Sequence, residues 1–222
     1  MKKRWIAAVL LPLLIISPAA GDAIKVALKM PVPPKINTTG VKNILVASFI
    51  WKTNVDIDIN REAVRALRSE LRKTNKFNIL DVPPPNLPEQ SLEDLLNNYQ
   101  FWKHLGEEYD ADLIVSGMIS FNSSDKSGFV NVDEISPITG QKVRTTRYAD
   151  REEFKLELSL YFFKGLNGAF LYEDNYMDSS IYEGKANDAL QIFYDFNDRI
   201  KEELKGIITP QIREEERYIF LN

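Results

Sequence analysis

The first half of the chain alternates between short apolar runs and segments in which apolar residues recur every three or four positions. Residues 43–50 form a nearly continuous apolar run rich in β-branched side chains, which is typical of a buried strand. Residues 60–72 place their apolar side chains on one helical face, and Asn60 is the expected N-cap. The pattern therefore predicts a buried strand followed by an amphipathic helix.

The same alternation continues as far as residue 119. Residues 77–82 predict a second strand, and the prolines at positions 83, 84, 85 and 88 predict a rigid loop after it. Ser91 with Asp94 forms the pattern of a capping box, which predicts the start of a second helix. Residues 113–119 predict a third buried strand, so this half of the chain predicts a β-α-β-α-β order.

A polar stretch over residues 123–151 separates this core from the rest of the chain. It contains a turn signal at residues 136–140 between two candidate arms, Gly128–Glu134 and Gln141–Tyr148. We therefore expect a protruding β-hairpin within residues 124–150.

The last third of the chain predicts a strand pair, a helix and a final strand. Residues 153–162 alternate strictly between polar and apolar, and a tight turn leads to a partner strand over residues 169–178. A helix is expected over about 187–204 and a strand over 218–221. The predicted class is α/β (α+β), one domain over residues 41–222 with a mixed sheet packed by about three helices.

The amino-terminal residues have the three parts of a secretory signal peptide. Basic residues at positions 2–4 precede an uncharged apolar run over 5–16, and small residues follow at 17–21. Because spanning a bilayer takes about 20 apolar residues, we expect cleavage near residue 21 rather than an anchor. The mature chain is expected in the periplasm or at the inner face of the outer membrane, with residues 22–40 as an extended leader.

Composition narrows the functional classes. The chain has no cysteine, so it has no disulfide, no thiolate metal site, no cysteine nucleophile and no lipid-bearing cysteine. A formal net charge of −4 argues against non-specific binding of nucleic acid. The single histidine, His104, is expected as a partly buried packing residue. No catalytic, cofactor-binding or metal-binding constellation is predicted, and we expect a protein that is not an enzyme.

Several strings in the chain carry a family resemblance. They are the first-strand string Ile44–Phe49, the helix-turn-strand string Leu71–Leu80, the third-strand string Tyr109–Ile119, and the paired strands that start at Phe154 and Gly168. Together they resemble the envelope superfamily of the curli secretion channel subunit, the amino-terminal domain of the Tol–Pal translocation protein and the lipoprotein activators of penicillin-binding proteins. The resemblance implies this α/β fold and binding to envelope proteins or to further copies of the chain.

The candidate hairpin separates this chain from the channel subunit. It carries five charged residues on both faces, and mid-bilayer charges cost several kcal/mol each, so a membrane pore is not expected. These residues are Asp133, Glu134, Lys142, Arg144 and Arg147. They either pair across the two strands or form a projecting edge that docks a partner by strand addition. Both interpretations stay open, and the five residues are the candidate docking site.

The favoured function is an exported, non-enzymatic assembly or accessory factor that acts by binding proteins. The alternative is a periplasmic cell-wall glycan or small-ligand binding protein, or a hydrolase, with a cleft lined by Trp51, Tyr99 and Trp102. Gly117 is the fourth candidate residue of this cleft. It lies within the third predicted strand, where a glycine indicates close approach by a ligand or close packing of a helix on the sheet.

Overall fold

The computed structural model describes residues 23–184 and 188–220. The predicted signal peptide and Asn187, where the last helix is expected to start, lie outside these ranges. The chain divides into two compact units, one of which contains Val32–Gln211. Of the described residues, the other unit contains 23–31 and 212–220.

The described residues form nine strands and four helices. In chain order they are β1 (Ala23–Val32), β2 (Asn43–Thr53), α1 (Ile59–Lys73), β3 (Asn78–Ile79), α2 (Leu92–Asn97), α3 (Tyr99–Glu108), β4 (Leu113–Asp125), β5 (Gly128–Ile135), β6 (Lys142–Ala149), β7 (Arg151–Lys164), β8 (Phe170–Glu183), α4 (Ala189–Ile208) and β9 (Gln211–Phe220).

A mixed five-stranded sheet forms the centre of the larger unit. Its strand order is β3-β2-β4-β7-β8. The first three strands in this order run parallel, whereas β7 runs antiparallel to both of its neighbours. The predicted α/β class with a mixed sheet is confirmed.

The apolar run of β2 is continuous because both faces of the sheet are covered. Ile44 and Val46 belong to the core on the side of α1 and α4. Leu45 and Ala47 belong to a second core, which contains Trp102 of α3. Successive side chains of a strand point to opposite faces of the sheet. A strand between two helical layers therefore needs apolar residues at odd-numbered and at even-numbered positions.

The N-cap of α1 is Asp58 rather than the predicted Asn60. The Asp58 carboxylate accepts a hydrogen bond from the Arg61 amide at 3.1 Å. The Asn60 side-chain oxygen instead accepts from the Phe49 amide at 2.8 Å. The register between β2 and β4 shifts just before Phe49, so Asn60 supplies an acceptor where the strand pairing is irregular.

The predicted second helix is two helices. Its start is as expected, because the Ser91 hydroxyl accepts from the Asp94 amide at 3.1 Å and donates to the Asp94 carboxylate at 2.6 Å. Asn98 then ends α2 and caps α3, since its side-chain oxygen accepts from the Phe101 amide at 3.1 Å. Tyr99, the first residue of α3, is exposed, whereas Trp102 of the same helix is buried.

The extended leader contains strand β1, which pairs with β9 in a separate two-stranded sheet. Lys25 Nζ lies 2.7 Å from a Glu216 carboxylate oxygen, and Lys29 Nζ lies 3.4 Å from one of Glu214. Strand β9 begins at Gln211, so the final strand is longer than the predicted 218–221. Residue 221 lies outside the described ranges. The second predicted strand is shorter than expected, since only Asn78 and Ile79 pair with β2.

Tyr176 makes the free energy of unfolding depend on pH in the alkaline range. Its side chain is buried, and its hydroxyl donates to an Asp174 carboxylate oxygen that also accepts from Lys35 Nζ at 2.6 Å. Burial, followed by the hydrogen bond to Asp174, raises the pKa of Tyr176 well above the ordinary value of 10.0. Above about pH 10 an unfolded tyrosine loses its proton while folded Tyr176 keeps it, so the folded state binds more protons and stability falls as pH rises.

We therefore expect the Tyr176→Phe substitution to make the free energy of unfolding decline less steeply between about pH 9 and pH 11. Urea denaturation across this range measures the slope, and Tyr99→Phe, at an exposed tyrosine, is the control. If the free energy of unfolding declined equally steeply with pH in wild type and Tyr176→Phe, Tyr176 would not be the source of the pH dependence.

Candidate functional site

The hairpin of β5 and β6 continues the pairing of β4 with β7 without a change of register. Asp125 pairs with Glu152 at the end of the sheet, and Gly128 pairs with Ala149 at the start of the hairpin. Between these pairs, the Lys126 amide donates to the Arg151 carbonyl oxygen at 2.8 Å. One antiparallel ribbon therefore runs from the middle of the central sheet to the hairpin turn.

The hairpin lies beyond the end of the neighbouring strand. β8 pairs with β7 as far as Arg151, where the partner is Glu183, and the residues of β5 and β6 pair only with each other in the described part of the chain. Each hairpin strand has eight residues, which corresponds to an arm of about 27 Å. The predicted protruding hairpin is present, and no other strand within residues 23–184 and 188–220 pairs with the backbone groups of its long edges.

The hairpin turn lies where the sequence signal places it. The Ser136 amide donates to the Gln141 carbonyl oxygen at 2.9 Å, and the Gly140 amide donates to the Ser136 carbonyl oxygen at 2.9 Å. Gly140 has a φ of 67°, in the left-handed region that favours glycine. Ile138 lies at the tip of the turn with 92% of its surface exposed.

One face of the hairpin combines an aromatic pair with a charge cluster. The rings of Phe129 and Tyr148 meet edge to face with their centroids 5.6 Å apart. Asp133 lies between two cations, with carboxylate oxygens 3.2 Å from Arg144 Nε and 3.1 Å from Lys142 Nζ. The structure therefore brings three of the five candidate docking residues together on this face.

The other two candidate docking residues lie on the opposite face. Glu134 pairs with Val143 in the strand register, and Arg147 pairs with Val130. Arg147 Nη2 also reaches Glu183 Oε2 of β8 at 3.0 Å, so it ties the base of the hairpin to the sheet edge. These ion pairs are exposed, and exposed pairs contribute only about 0–1 kcal/mol, so the charges stay available to a partner.

The hairpin also exposes large apolar side chains that the sequence interpretation left out. Phe129 is 78% exposed, and Ile135 is similarly open. The signal was present in the string Gly128–Ile135, which contains apolar residues on both faces of a strand and in which no residue is buried. The site is therefore both apolar and charged.

The four residues proposed for a cleft do not line a common one. Trp102 is wholly buried, with its ring stacked on Phe163 at 3.8 Å and its indole N–H donating to the Leu95 carbonyl oxygen at 2.8 Å. Trp51 is exposed and lines a groove of about 540 Å³ beside Asn60, but neither Tyr99 nor Trp102 is part of that groove.

Gly117 lies in a closely packed part of the sheet. A Cβ at this position would lie 2.2 Å from the Ser159 carbonyl oxygen and 2.6 Å from the ring of Phe49. The glycine thus lets a core ring and the neighbouring strand approach the backbone, which favours packing as the reason for a glycine at this position.

His104 is exposed, with Nε2 3.9 Å from a Glu108 carboxylate oxygen, so the expectation of a partly buried packing residue is wrong. It lies on α3 on the side away from Trp102 and Leu105, which are buried. Within the described ranges, no group of three or more potential ligands is placed to hold a metal ion. In the same ranges, no helix combines the length and the apolar character needed to cross a bilayer.

No protein-family model matches the chain, and no curated protein matches its sequence. Solved structures similar to it include the LpoB C-terminal domain from Salmonella enterica, with 15% identity, 66% of this chain and 84% of that one covered, and a TM-score of 0.36. The PelC dodecamer from Paraburkholderia phytofirmans gives 11% identity, coverage of 83% and 98%, and a TM-score of 0.40. Lipoprotein GNA1162 from Neisseria meningitidis gives 9% identity, coverage of 72% and 99%, and a TM-score of 0.36.

Proposed function

We propose that this chain is an exported, non-enzymatic accessory protein of the bacterial envelope that binds a protein partner through the hairpin of β5 and β6. The observation that carries the proposal is an arm paired only with itself, extending from the central sheet and exposing apolar side chains on a surface open to solvent. Large apolar side chains exposed on a projecting arm indicate a surface that binds another molecule.

The geometry of the arm favours strand addition. Among the nine described strands, none lies beside the long edges of the hairpin, so their backbone N–H and C=O groups are open. Such edges accept an extended segment from a partner. The edge-to-face pair of Phe129 and Tyr148 offers a rigid apolar anchor next to that edge. Backbone hydrogen bonds would supply affinity, and the aromatic pair would select the side chains of the partner.

The charged residues of the hairpin have a separate role in this proposal. Asp133, Lys142 and Arg144 form an exposed cluster near the tip, and clusters of this kind steer a partner and fix its register more than they add affinity. The partner is an envelope protein or a second copy of the chain, and not nucleic acid. The signal-peptide pattern of residues 1–21 supports export, and the family resemblance supports the envelope setting.

We expect the double substitution Arg144→Glu/Arg147→Glu to reduce partner capture at least about tenfold, because it reverses charge on both faces of the hairpin. The measurement is photo-crosslinking in cells from a crosslinking amino acid at Ile138, followed by quantification of each crosslinked product. Crosslinked dimers of the chain would identify a second copy as the partner. The thermal midpoint of the variant should stay within a few degrees of wild type, because the substituted ion pairs are exposed.

A matched control reverses two equally charged positions outside the hairpin. Lys103 and Lys201 lie on α3 and α4 and make exposed ion pairs with Glu107 and Asp198. The Lys103→Glu/Lys201→Glu variant should retain the crosslinks of wild type. Equal loss in both variants, or no loss in either, would remove the docking role of the hairpin.

A further inference from the structure

Helix α1 carries four arginines in a single stripe. Arg61, Arg65, Arg68 and Arg72 are spaced by four, three and four residues, which places them on one helical face over about 16 Å. Together with Val64, Asp81 and Pro84 they line a groove of about 270 Å³ between α1 and the proline-containing loop after β3. We call this surface the arginine groove.

Arg68 is the buried member of the stripe. Its residue surface is 8% exposed, and its Nη2 donates to the carbonyl oxygens of Val46 at 3.1 Å and Val82 at 2.7 Å. Its Nε is buried and has no hydrogen-bond partner. Burial lowers the pKa of Arg68, against the opposing effect of Asp81. The groove therefore holds a partly desolvated cation whose hydrogen bonds are incomplete.

The other arginines of the groove are open to solvent and share few counter-charges. The Arg61 and Arg65 side chains are 72% and 74% exposed, and both contact the carboxylate of Glu62, at 3.2 and 3.7 Å. Glu62 in turn is buried and accepts a hydrogen bond from the Tyr194 hydroxyl at 2.7 Å.

At the other end of the stripe, Arg72 Nη2 lies 3.1 Å from Asp81, which also faces Arg68 at 3.7 Å. Four guanidinium groups thus face two carboxylates. The groove has a positive excess on a chain whose formal net charge is −4.

We propose that the arginine groove binds an acidic, extended segment of a protein partner. Guanidinium groups recognise carboxylates with paired, charge-assisted hydrogen bonds. Alternate side chains of an extended peptide lie about 6.7 Å apart on one face, and the arginines of α1 rise by about 4.5–6 Å from one to the next. Pro84, which is half-buried, gives the groove an apolar part that a peptide can cover and an inorganic anion cannot. This inference rests on the proposed function, because it describes a second contact with a protein partner.

The test uses two fluorescein-labelled peptides, Glu-Val-Glu-Val-Glu and Gln-Val-Gln-Val-Gln, and the full chain, with binding measured by fluorescence anisotropy. We expect the acidic peptide to bind at least about tenfold more tightly than the amide peptide, with an affinity that falls as salt rises. The Arg61→Gln/Arg65→Gln variant should weaken binding of the acidic peptide at least about tenfold. These two arginines are exposed, so the variant is expected to fold, which the thermal midpoint verifies.

The control variant Lys103→Gln/Lys201→Gln removes the same charge from exposed positions on other helices and should bind the acidic peptide as wild type does. Equal affinity for the two peptides, or equal weakening by both variants, would overturn the proposal. Tighter binding of tripolyphosphate than of the acidic peptide would overturn it in favour of a small-anion site, and preferential binding to phosphatidylglycerol vesicles would overturn it in favour of a lipid surface.

The hairpin variant separates this inference from the proposed function. Arg144→Glu/Arg147→Glu changes the hairpin and leaves every residue of the arginine groove in place. Peptide binding should therefore be unchanged in that variant even if its crosslinks to a partner are lost. A loss of peptide affinity there would mean that the acidic peptide binds at the hairpin, and the groove would be excluded.

Discussion

The Trp102→Ala substitution is expected to lower the free energy of unfolding by about 3–5 kcal/mol, which is the range for truncating a large aromatic side chain in a core. Trp102 is wholly buried, and its ring stacks on Phe163 between α3 and the sheet. Alanine would leave a cavity in the smaller of the two cores and would leave the Leu95 carbonyl oxygen at the end of α2 without its indole donor. Trp102 therefore joins α3 to the sheet through Phe163 and to α2 through Leu95.

Urea denaturation followed by far-ultraviolet circular dichroism measures the effect, and Trp51→Ala is the matched control. Trp51 is exposed, so its truncation should cost less than about 1 kcal/mol. Similar losses for the two tryptophans would contradict the burial of Trp102. An unchanged stability in Trp102→Ala would mean that the layer formed by α2 and α3 does not contribute to folding.

The Gly168→Ala substitution is expected to destabilise the protein by about 3–5 kcal/mol, from left-handed backbone strain of about 1–2 kcal/mol and steric overlap of similar or larger size. Gly168 has a φ of 69° in the turn between β7 and β8. A Cβ there would lie 1.8 Å from the Tyr99 carbonyl oxygen and 2.9 Å from the Lys103 amide nitrogen, both in the backbone of α3. The overlap is with backbone atoms, so either the turn or the helix must move.

Gly140→Ala provides the comparison that separates strain from overlap. Gly140 has nearly the same φ, 67°, but a Cβ there would meet no atom within 4 Å. Its substitution should cost about 1–2 kcal/mol from the backbone alone. The difference between the two free energies of unfolding measures the contact of the turn with α3, and equal values would show that no such contact exists.

The sequence predicted those parts of the fold that depend on local pattern. The continuous apolar run of β2, the amphipathic face of α1 and the capping box at Ser91 all correspond to elements of the structure. Features that depend on tertiary contacts were missed. The N-cap of α1 is Asp58 rather than Asn60, because the Asn60 side chain accepts a hydrogen bond from the Phe49 amide. The pairing of β1 with β9 joins segments from opposite ends of the described chain. No local signal identifies such partners.

The candidate site shows the same division. Strand alternation correctly places Asp133 and Glu134 on opposite faces of the hairpin, because only the period of two is needed. The reach of Arg147 to Glu183 could not be predicted, since it depends on where β8 ends. The arginine stripe of α1 is visible from its spacing, but the burial of Arg68 is not, because the carbonyl groups of Val46 and Val82 lie in other segments. Tyr99 and Trp102 lie in the same helix, yet only Trp102 is buried, because Trp102 packs on Phe163 of the sheet.

The unbroken register of the long ribbon limits how the arm can change in length during evolution or design. A deletion of one residue from one strand would invert every later side chain relative to its partner, and the aromatic pair would separate from the charge cluster. Removal of two residues from each strand keeps every surviving side chain on its original side and brings the tip about 7 Å closer to the sheet. The length of the ribbon from Leu113 to Lys164 can therefore change only in steps of two residues per strand. Related chains whose partners lie at different distances from the sheet should differ in arm length by such steps rather than by single residues.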